Sequence, residues 1–240
     1  MRWTEHYVVN SHDPDLNNIV RTSALMRYMQ DAANCQMEGE KPSYNELLAE
    51  GKAFVLSRLQ MSVYQPLYNH DRITVQSWAC PSTGVSFNRC YCIKKDDRIV
   101  AEAVSVWALV DINTKRLCRV NEFENGYCMD AMLELDMPAR FRIPKEVPLS
   151  LVGERGVEYQ DVDMNRHINN TRYADILCGY LPTMEGLRVI KFEISYLSEA
   201  PLGETLKIYM GAAEEGAYYF RTLRENGKTN VEAEIILEEI

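Results

Sequence analysis

The chain has 240 residues, 46% hydrophobic and 25% charged, a balance that suits a folded protein with a substantial core in one large or two small domains. The formal net charge of −9 excludes a nucleic-acid binder that relies on a general basic surface, and an acidic partner would have to dock on a local basic patch. The start, Met-Arg-Trp-Thr-Glu-His, has no apolar h-region, and no run of about 18 apolar residues occurs, so neither a secretory signal nor a membrane span is expected.

The opening residues 3–9 are predicted as extended chain, followed by a polar loop, Asp13-Pro-Asp-Leu-Asn-Asn18. A helix is predicted from Thr22 to about Met37, with Thr22 or Ser23 as its cap and Leu25, Met26, Met29 and Ala33 on one face. Residues 43–50 form a short extra helix ending at Gly51, and strands follow over 53–65, 71–79, 85–94 and 98–110, the last two joined by a turn at Lys95-Asp-Asp-Arg98. Residues 121–153, with Met137-Pro-Ala-Arg-Phe-Arg-Ile-Pro144, are set down as a linker.

The order then repeats. A short strand leads into Asp161–Asn170, a helix runs to about Leu181, and strands follow near 188–199, 204–212, 217–224 and 229–238. Glu225-Asn-Gly-Lys228 is a strong hairpin signal, and Val231, Ala233, Ile235 and Leu237 alternate with polar residues as in a half-buried antiparallel strand. Pro66-Leu67 and Pro201-Leu202 end corresponding strands. The fold class is α+β, two tandem units (1–120 and 154–240) in each of which a helix lies on a curved antiparallel sheet.

The seven cysteines lack CxxC spacing, and Cys90 and Cys92, a C-x-C pair on a predicted strand, are expected to face opposite sides. A zinc site is not expected, and reduced thiols in a cytoplasmic protein are the simplest reading.

The densest chemistry is Asp161-Val-Asp-Met-Asn-Arg-His-Ile-Asn-Asn-Thr-Arg-Tyr173, two acids, three amides and one of four histidines ahead of a helix whose face is Tyr173, Ile176, Leu177 and Tyr180. Asp and Asn there are ordinary helix-start residues, but an imidazole titrates near neutrality and suits proton handling. Backbone amides at the start of a 168–181 helix could bind an oxyanion.

This motif resembles that of the hot-dog thioesterases. The Asn between the second Asp and the His, and the tandem arrangement, are most similar to the acyl–acyl-carrier-protein thioesterases of plants and bacteria. The resemblance implies two hot-dog units, each a long central helix wrapped by a curved antiparallel sheet, and a catalytic set of Asp163, Asn165, His167 and a Glu in a Tyr-x-x-Glu pattern, here Tyr196-Leu-Ser-Glu199. Plant members place a Cys after this Glu. Ala200 stands there, which disfavours a thiol nucleophile and favours Glu199 acting on water, with direct attack through an anhydride as the alternative.

Asn169, Asn170, Tyr173, Arg166 and Arg172 are set down as substrate-binding. The plainer roles are a cap for Asn170 and Asp161, helix-face packing for Tyr173, a strand-end charge for Glu199, and core for Met26 and Met29. The first loop has Asp15 and Asn17 but no His, and Tyr64 stands roughly where Glu199 does, so one active site per chain is expected and the first unit is left to shape the acyl pocket. The implied partner is an acyl carrier protein, met by Arg166 and Arg172 or by Lys115, Arg116, Arg119, Arg140, Arg142 and Lys145. No cofactor, metal or nucleic acid is implied, and a homodimer is left open. The rivals are an acyl-CoA thioesterase, a hot-dog dehydratase or hydratase, and a non-catalytic acyl-binding protein.

Overall fold

A computed structural model describes residues 2–135, 141–214 and 216–240. Its elements are β1 (Trp3–Val8), α1 (Thr22–Gly39), α2 (Tyr44–Ala49), β2 (Lys52–Val63), β3 (Arg72–Thr83), β4 (Ser86–Lys95) and β5 (Arg98–Asp111), then β6 (Ser150–Gly156), α3 (Arg172–Cys178), β7 (Leu187–Tyr196), β8 (Thr205–Ala212), β9 (Ala217–Leu223) and β10 (Thr229–Glu239). The strands form one sheet in the order β1-β3-β4-β5-β2-β7-β10-β9-β8-β6. Read outward from its centre, each half carries the same succession of strands.

The halves join where β2 runs antiparallel to β7, with Leu59 opposite Ile194. Leu59 and Ile194 are 135 residues apart, as are Pro66 and Pro201, so the pairing sits on a pseudo-twofold axis. α1 and α3 pack against each other, and one hydrophobic cluster runs through both units, from Met26, Met29, Met61 and Ile73 to Leu177, Phe192, Ile194 and Phe220. Met26 and Met29 are core residues, 3% and 1% exposed.

Local chemistry explains the element ends. α1 begins after Arg21, whose side chain makes no capping bond; Thr22 and Ser23, expected as caps, are already inside the helix. α2 has a reciprocal capping box in which Ser43 Oγ accepts from Glu46 N at 3.3 Å and Glu46 Oε2 accepts from Ser43 N at 2.7 Å. The β4–β5 turn holds Asp96 and Asp97 at φ 49° and 60°, the left-handed pair that a two-residue hairpin of matching twist requires. A side chain at position 39 would meet the Trp3 ring at 2.3 Å, so Gly39 lets the end of α1 lie against β1.

Two expectations need correcting. α3 is seven residues long, not a helix from 168 to 181. Its periodicity continues to Tyr180, but the backbone tightens into three-residue turns, Tyr180 N to Leu177 O and Leu181 N to Cys178 O, ahead of Pro182. Cys90 and Cys92 face the same side, because residues two apart on a strand share a face; both pack with Trp78, Cys80 and Val104.

Leu133 and Leu135 cover that cysteine face, and Trp78 Nε1 donates to Ala131 O at 2.9 Å, so this part of the connecting segment is packed on the sheet. β6 begins at Ser150, inside the stretch set down as a linker. Met137, Pro138 and Arg140 lie outside the described residues.

Candidate active site

The loop before α3 is built from its own side chains. Asp163 Oδ1 accepts from Asn165 N at 2.8 Å, Arg166 takes the left-handed conformation (φ 66°), and Asp163 N donates to His167 O at 3.1 Å. Beneath it, Asp161 is fully buried. Its carboxylate accepts from Arg155 Nη2 at 2.8 Å and Glu158 N at 3.0 Å, and its carbonyl accepts from Asn169 N at 2.9 Å. Asp161 therefore anchors the loop rather than facing a substrate.

The loop is then stitched to the chain leaving β7. Ile168 N donates to Ala200 O at 3.0 Å, Leu202 N donates to Arg166 O at 3.2 Å, and His167 bridges Pro201. This ladder brings His167 Nε2 to 3.6 Å from Glu199 Oε1, with side chains 25% and 65% exposed. The gap is longer than a hydrogen bond, which is common for catalytic pairs before substrate binds. Asn165, two residues before His167, is exposed, and its side-chain amide has no hydrogen-bond partner among the described residues. Asp163 acts on the loop backbone. Ala200 is buried and carries no thiol.

The remaining expected residues divide. Arg166 is exposed at the loop tip. Asn169 Oδ1 accepts from Thr171 N at 2.9 Å and Thr171 Oγ1 at 2.8 Å, and Asn170 O accepts from Tyr196 Oη at 2.9 Å. Tyr173 is 2% exposed, accepts from Asn230 Nδ2 at 2.9 Å and stands edge-on to Tyr196 with ring centroids 5.7 Å apart. Arg172 reaches Asp175 at 3.3 Å and Asp161 at 3.8 Å. The amides of residues 168, 169, 171 and 172 already have acceptors within the chain, which removes them from the expected oxyanion hole.

Sequence reasoning missed Asn230 and the hydroxyl of Tyr196. Asn230 is fully buried; its Oδ1 accepts from Thr222 Oγ1 at 2.9 Å and its carbonyl accepts from Leu197 N at 2.8 Å, which fixes the strand end carrying Glu199. Burial pushes the hydroxyls of Tyr173 and Tyr196 well above the usual phenol range. The available signal was an amide, Asn230, at the head of an apolar-alternating strand.

The loop before α1 repeats this backbone 148 residues earlier. Asp15 Oδ1 accepts from Asn17 N at 2.8 Å, Asn18 is left-handed (φ 61°), Asp15 N donates to Ile19 O at 2.8 Å, and Pro14 bridges Val20 as Val162 bridges Ile168. Ile19 replaces His167. Tyr64, 135 residues before Glu199, replaces the carboxylate. A cavity of about 520 Å³ opens at this first loop, between it and α3. Asp163, Asn165, His167 and Glu199 are not among its lining residues.

Two units of this kind, joined through β2 and β7 with their helices on one face, make a tandem hot-dog protein. The solved acyl-ACP thioesterase of Bacteroides thetaiotaomicron has the same fold, with a TM-score of 0.87 at 20% identity over 98% of this chain and 97% of that one. So does the 12:0-ACP thioesterase of Umbellularia californica, with a TM-score of 0.81 at 15% identity over 100% and 98%. Residues 1–126 match the profile of the acyl-ACP thioesterase N-terminal domain and residues 149–239 that of the C-terminal domain; the chain belongs to the acyl-ACP thioesterase family. It is 20% identical to the chloroplastic palmitoyl-acyl carrier protein thioesterase of Gossypium hirsutum over 82% of this chain and 52% of that protein. It is 22% identical to the chloroplastic oleoyl-acyl carrier protein thioesterase 2 of Arabidopsis thaliana over 75% and 54%. The chain thus spans about half the length of these curated relatives. Among the described residues no helix is long and apolar enough to cross a membrane.

Proposed function

We propose that the chain hydrolyses fatty acyl thioesters of acyl carrier protein to free fatty acid and carrier thiol, with residues 154–240 as the catalytic unit and 1–120 as its non-catalytic partner. The observation that carries this reading is the approach of His167 Nε2 to Glu199 Oε1, 3.6 Å, with the unengaged amide of Asn165 on the same loop two residues before His167. Glu199 takes a proton from water as the water oxygen attacks the thioester carbon. The oxyanion is held by Asn165 Nδ2 and the imidazole of His167, donors set on a loop that does not need to reorganise. The C–S bond then breaks and the thiolate leaves, taking up the proton that Glu199 removed from water, which restores the carboxylate. Asp163 holds the loop in shape, and Asp161 holds the loop to the unit.

Exposed Arg166, on the loop of the proposed site, is a cation available to an acidic carrier; Lys115, Arg119, Arg142 and Lys145 are exposed as well, and Arg116 is paired with Glu122 at 3.3 Å. The test is thiol release from a panel of acyl carrier proteins and the matching acyl-CoAs. Loss of about 10²-fold or more in kcat/KM for both His167→Ala and Glu199→Gln, with unchanged circular dichroism, is expected. Full activity in Glu199→Gln would end the proposal, and equal turnover of acyl-CoA would remove the carrier specificity.

A further inference from the structure

The cavity at the first loop is not a faded copy of the proposed catalytic cleft. Its walls are largely apolar (Leu16, Ile19, Val63, Leu67, Met184 and Val189), and two arginines, Arg172 and Arg188, are among the residues that line it. Neither cation comes from the duplication. The residue matching Arg172 in the first unit, 148 positions earlier, is Ala24, and that matching Arg188, 135 positions earlier, is Ala53. Both arginines therefore lie only on the side that has lost His and Glu.

Their hydrogen bonding is incomplete. Arg188 Nη2 pairs with Glu238 and donates to Tyr64 O at 3.4 Å, while Nη1 is buried with no partner among the described residues. Arg172 Nη1 reaches Asp175 and Nη2 faces Asp161, while Nε is buried and unpartnered. These nitrogens are also shielded from water, so a small rotation of either guanidinium toward an acceptor in the cavity would meet an unmet demand. Two carboxylates also line the space. Asp175 is paired with Arg172, and Asp15 Oδ1 accepts from Asn17 N and Ile19 N. Arg21 adds a third cation at the rim.

We infer that this cavity is a second ligand site, separate from the catalytic cleft, for an aliphatic carboxylate whose chain lies along the apolar wall and whose head meets Arg188 and Arg172. Its volume falls within the ~300–1,000 Å³ of ordinary small-molecule sites. An arginine fork suits a planar carboxylate, and apolar walls reject a short hydrophilic anion. If the proposed hydrolysis holds, the released fatty acid is a ligand of this class. The inference rests on the cavity itself, and its test does not read activity.

The experiment is calorimetric titration of the full chain with dodecanoate below its micellar concentration, together with hydrogen-exchange footprinting. Binding is expected to survive His167→Ala, to weaken at least tenfold in Arg188→Gln, to recover in part in Arg188→Lys, and to weaken at least tenfold for methyl dodecanoate. On the wild-type chain, protection is expected at residues 15–25 and 184–189. Protection confined to 163–170 and 199–202, loss of binding in His167→Ala, or equal affinity for the neutral ester would each overturn it. The footprint needs no variant, so a misfolded Arg188→Gln leaves the inference testable.

Discussion

The loops before α1 and α3 share one backbone: the same Asx turn, the same left-handed fourth residue, the same bridge across the loop mouth. They differ in what their side chains are free to do. Asn17 is engaged, donating to Met184 O at 2.6 Å and Leu187 O at 2.9 Å and accepting from Gly186 N at 3.0 Å. Asn165 has no such contacts and stands exposed, two residues before His167. The first loop is bonded to the second unit through Asn17, and the matching amide of the second loop is left unbonded. The duplicated scaffold supplies position; under the proposed function, a few side chains, and whether their amides are free, decide the chemistry.

This contrast can be broken at several points. In the second unit, Glu199→Gln and His167→Ala should each lower kcat/KM by about 10² or more, whereas Tyr64→Phe and Ile19→Val at the matching first-unit positions should leave it within about twofold, read in the same thiol-release assay. The buried anchor comes next. Asp161→Ala strands Arg155 and opens the loop, and should cost on the order of 2–4 kcal/mol in urea unfolding. Asp13→Ala, which frees Tyr28 Oη and the more exposed Arg27, should cost less, about 1–2 kcal/mol.

A smaller effect lies at the seam. Glu193 is buried opposite Gln60, with Glu234 adjacent; burial raises its carboxyl above the usual range, and Lys191 and Arg58 pull it back only in part. A carboxyl raised in the folded state favours folding at low pH, and that contribution is lost as pH rises from the unfolded value through the folded one. Thermal stability should therefore decline as pH is raised above about 4.5. Glu193→Gln should flatten this decline, raising stability more at pH 8 than at pH 4, as followed by calorimetric melting. If the wild-type chain instead gains stability with pH relative to Glu193→Gln in that window, the lysine and arginine dominate over burial at Glu193. Last, installing Ile19→His with Tyr64→Glu in a Glu199→Gln chain should produce no thiol release above background, because Asn17 remains engaged. Recovered turnover would show that side-chain identity alone separates the two loops.

Much of this architecture was legible in the residue order. β2, β5, β8 and β10 end within three residues of where alternation and turn signals put them, and Asp96-Asp97 and Asn226-Gly227 mark true hairpins. These features depend on neighbours along the chain, and so does the Asp163–Asn165 turn that shapes the proposed site. Three misreadings were also local. The cap of α1 and the length of α3 each turn on one or two backbone angles that composition does not report, whereas the face shared by Cys90 and Cys92 follows from the two-residue period of a strand and was already present in the sequence.

What the sequence by itself determined is therefore the repeated unit and its polar loop, because side-chain periodicity and turn chemistry record which face of each short segment is buried. Tertiary structure alone decided that β2 and β7 pair to merge two units into one core, that residues 167 and 199 meet, and that a cavity with two incompletely bonded arginines remains at the other loop. Those are contacts between segments tens to hundreds of residues apart. They depend on which segments pair across the sheet and in what register, information that no single stretch of chain carries.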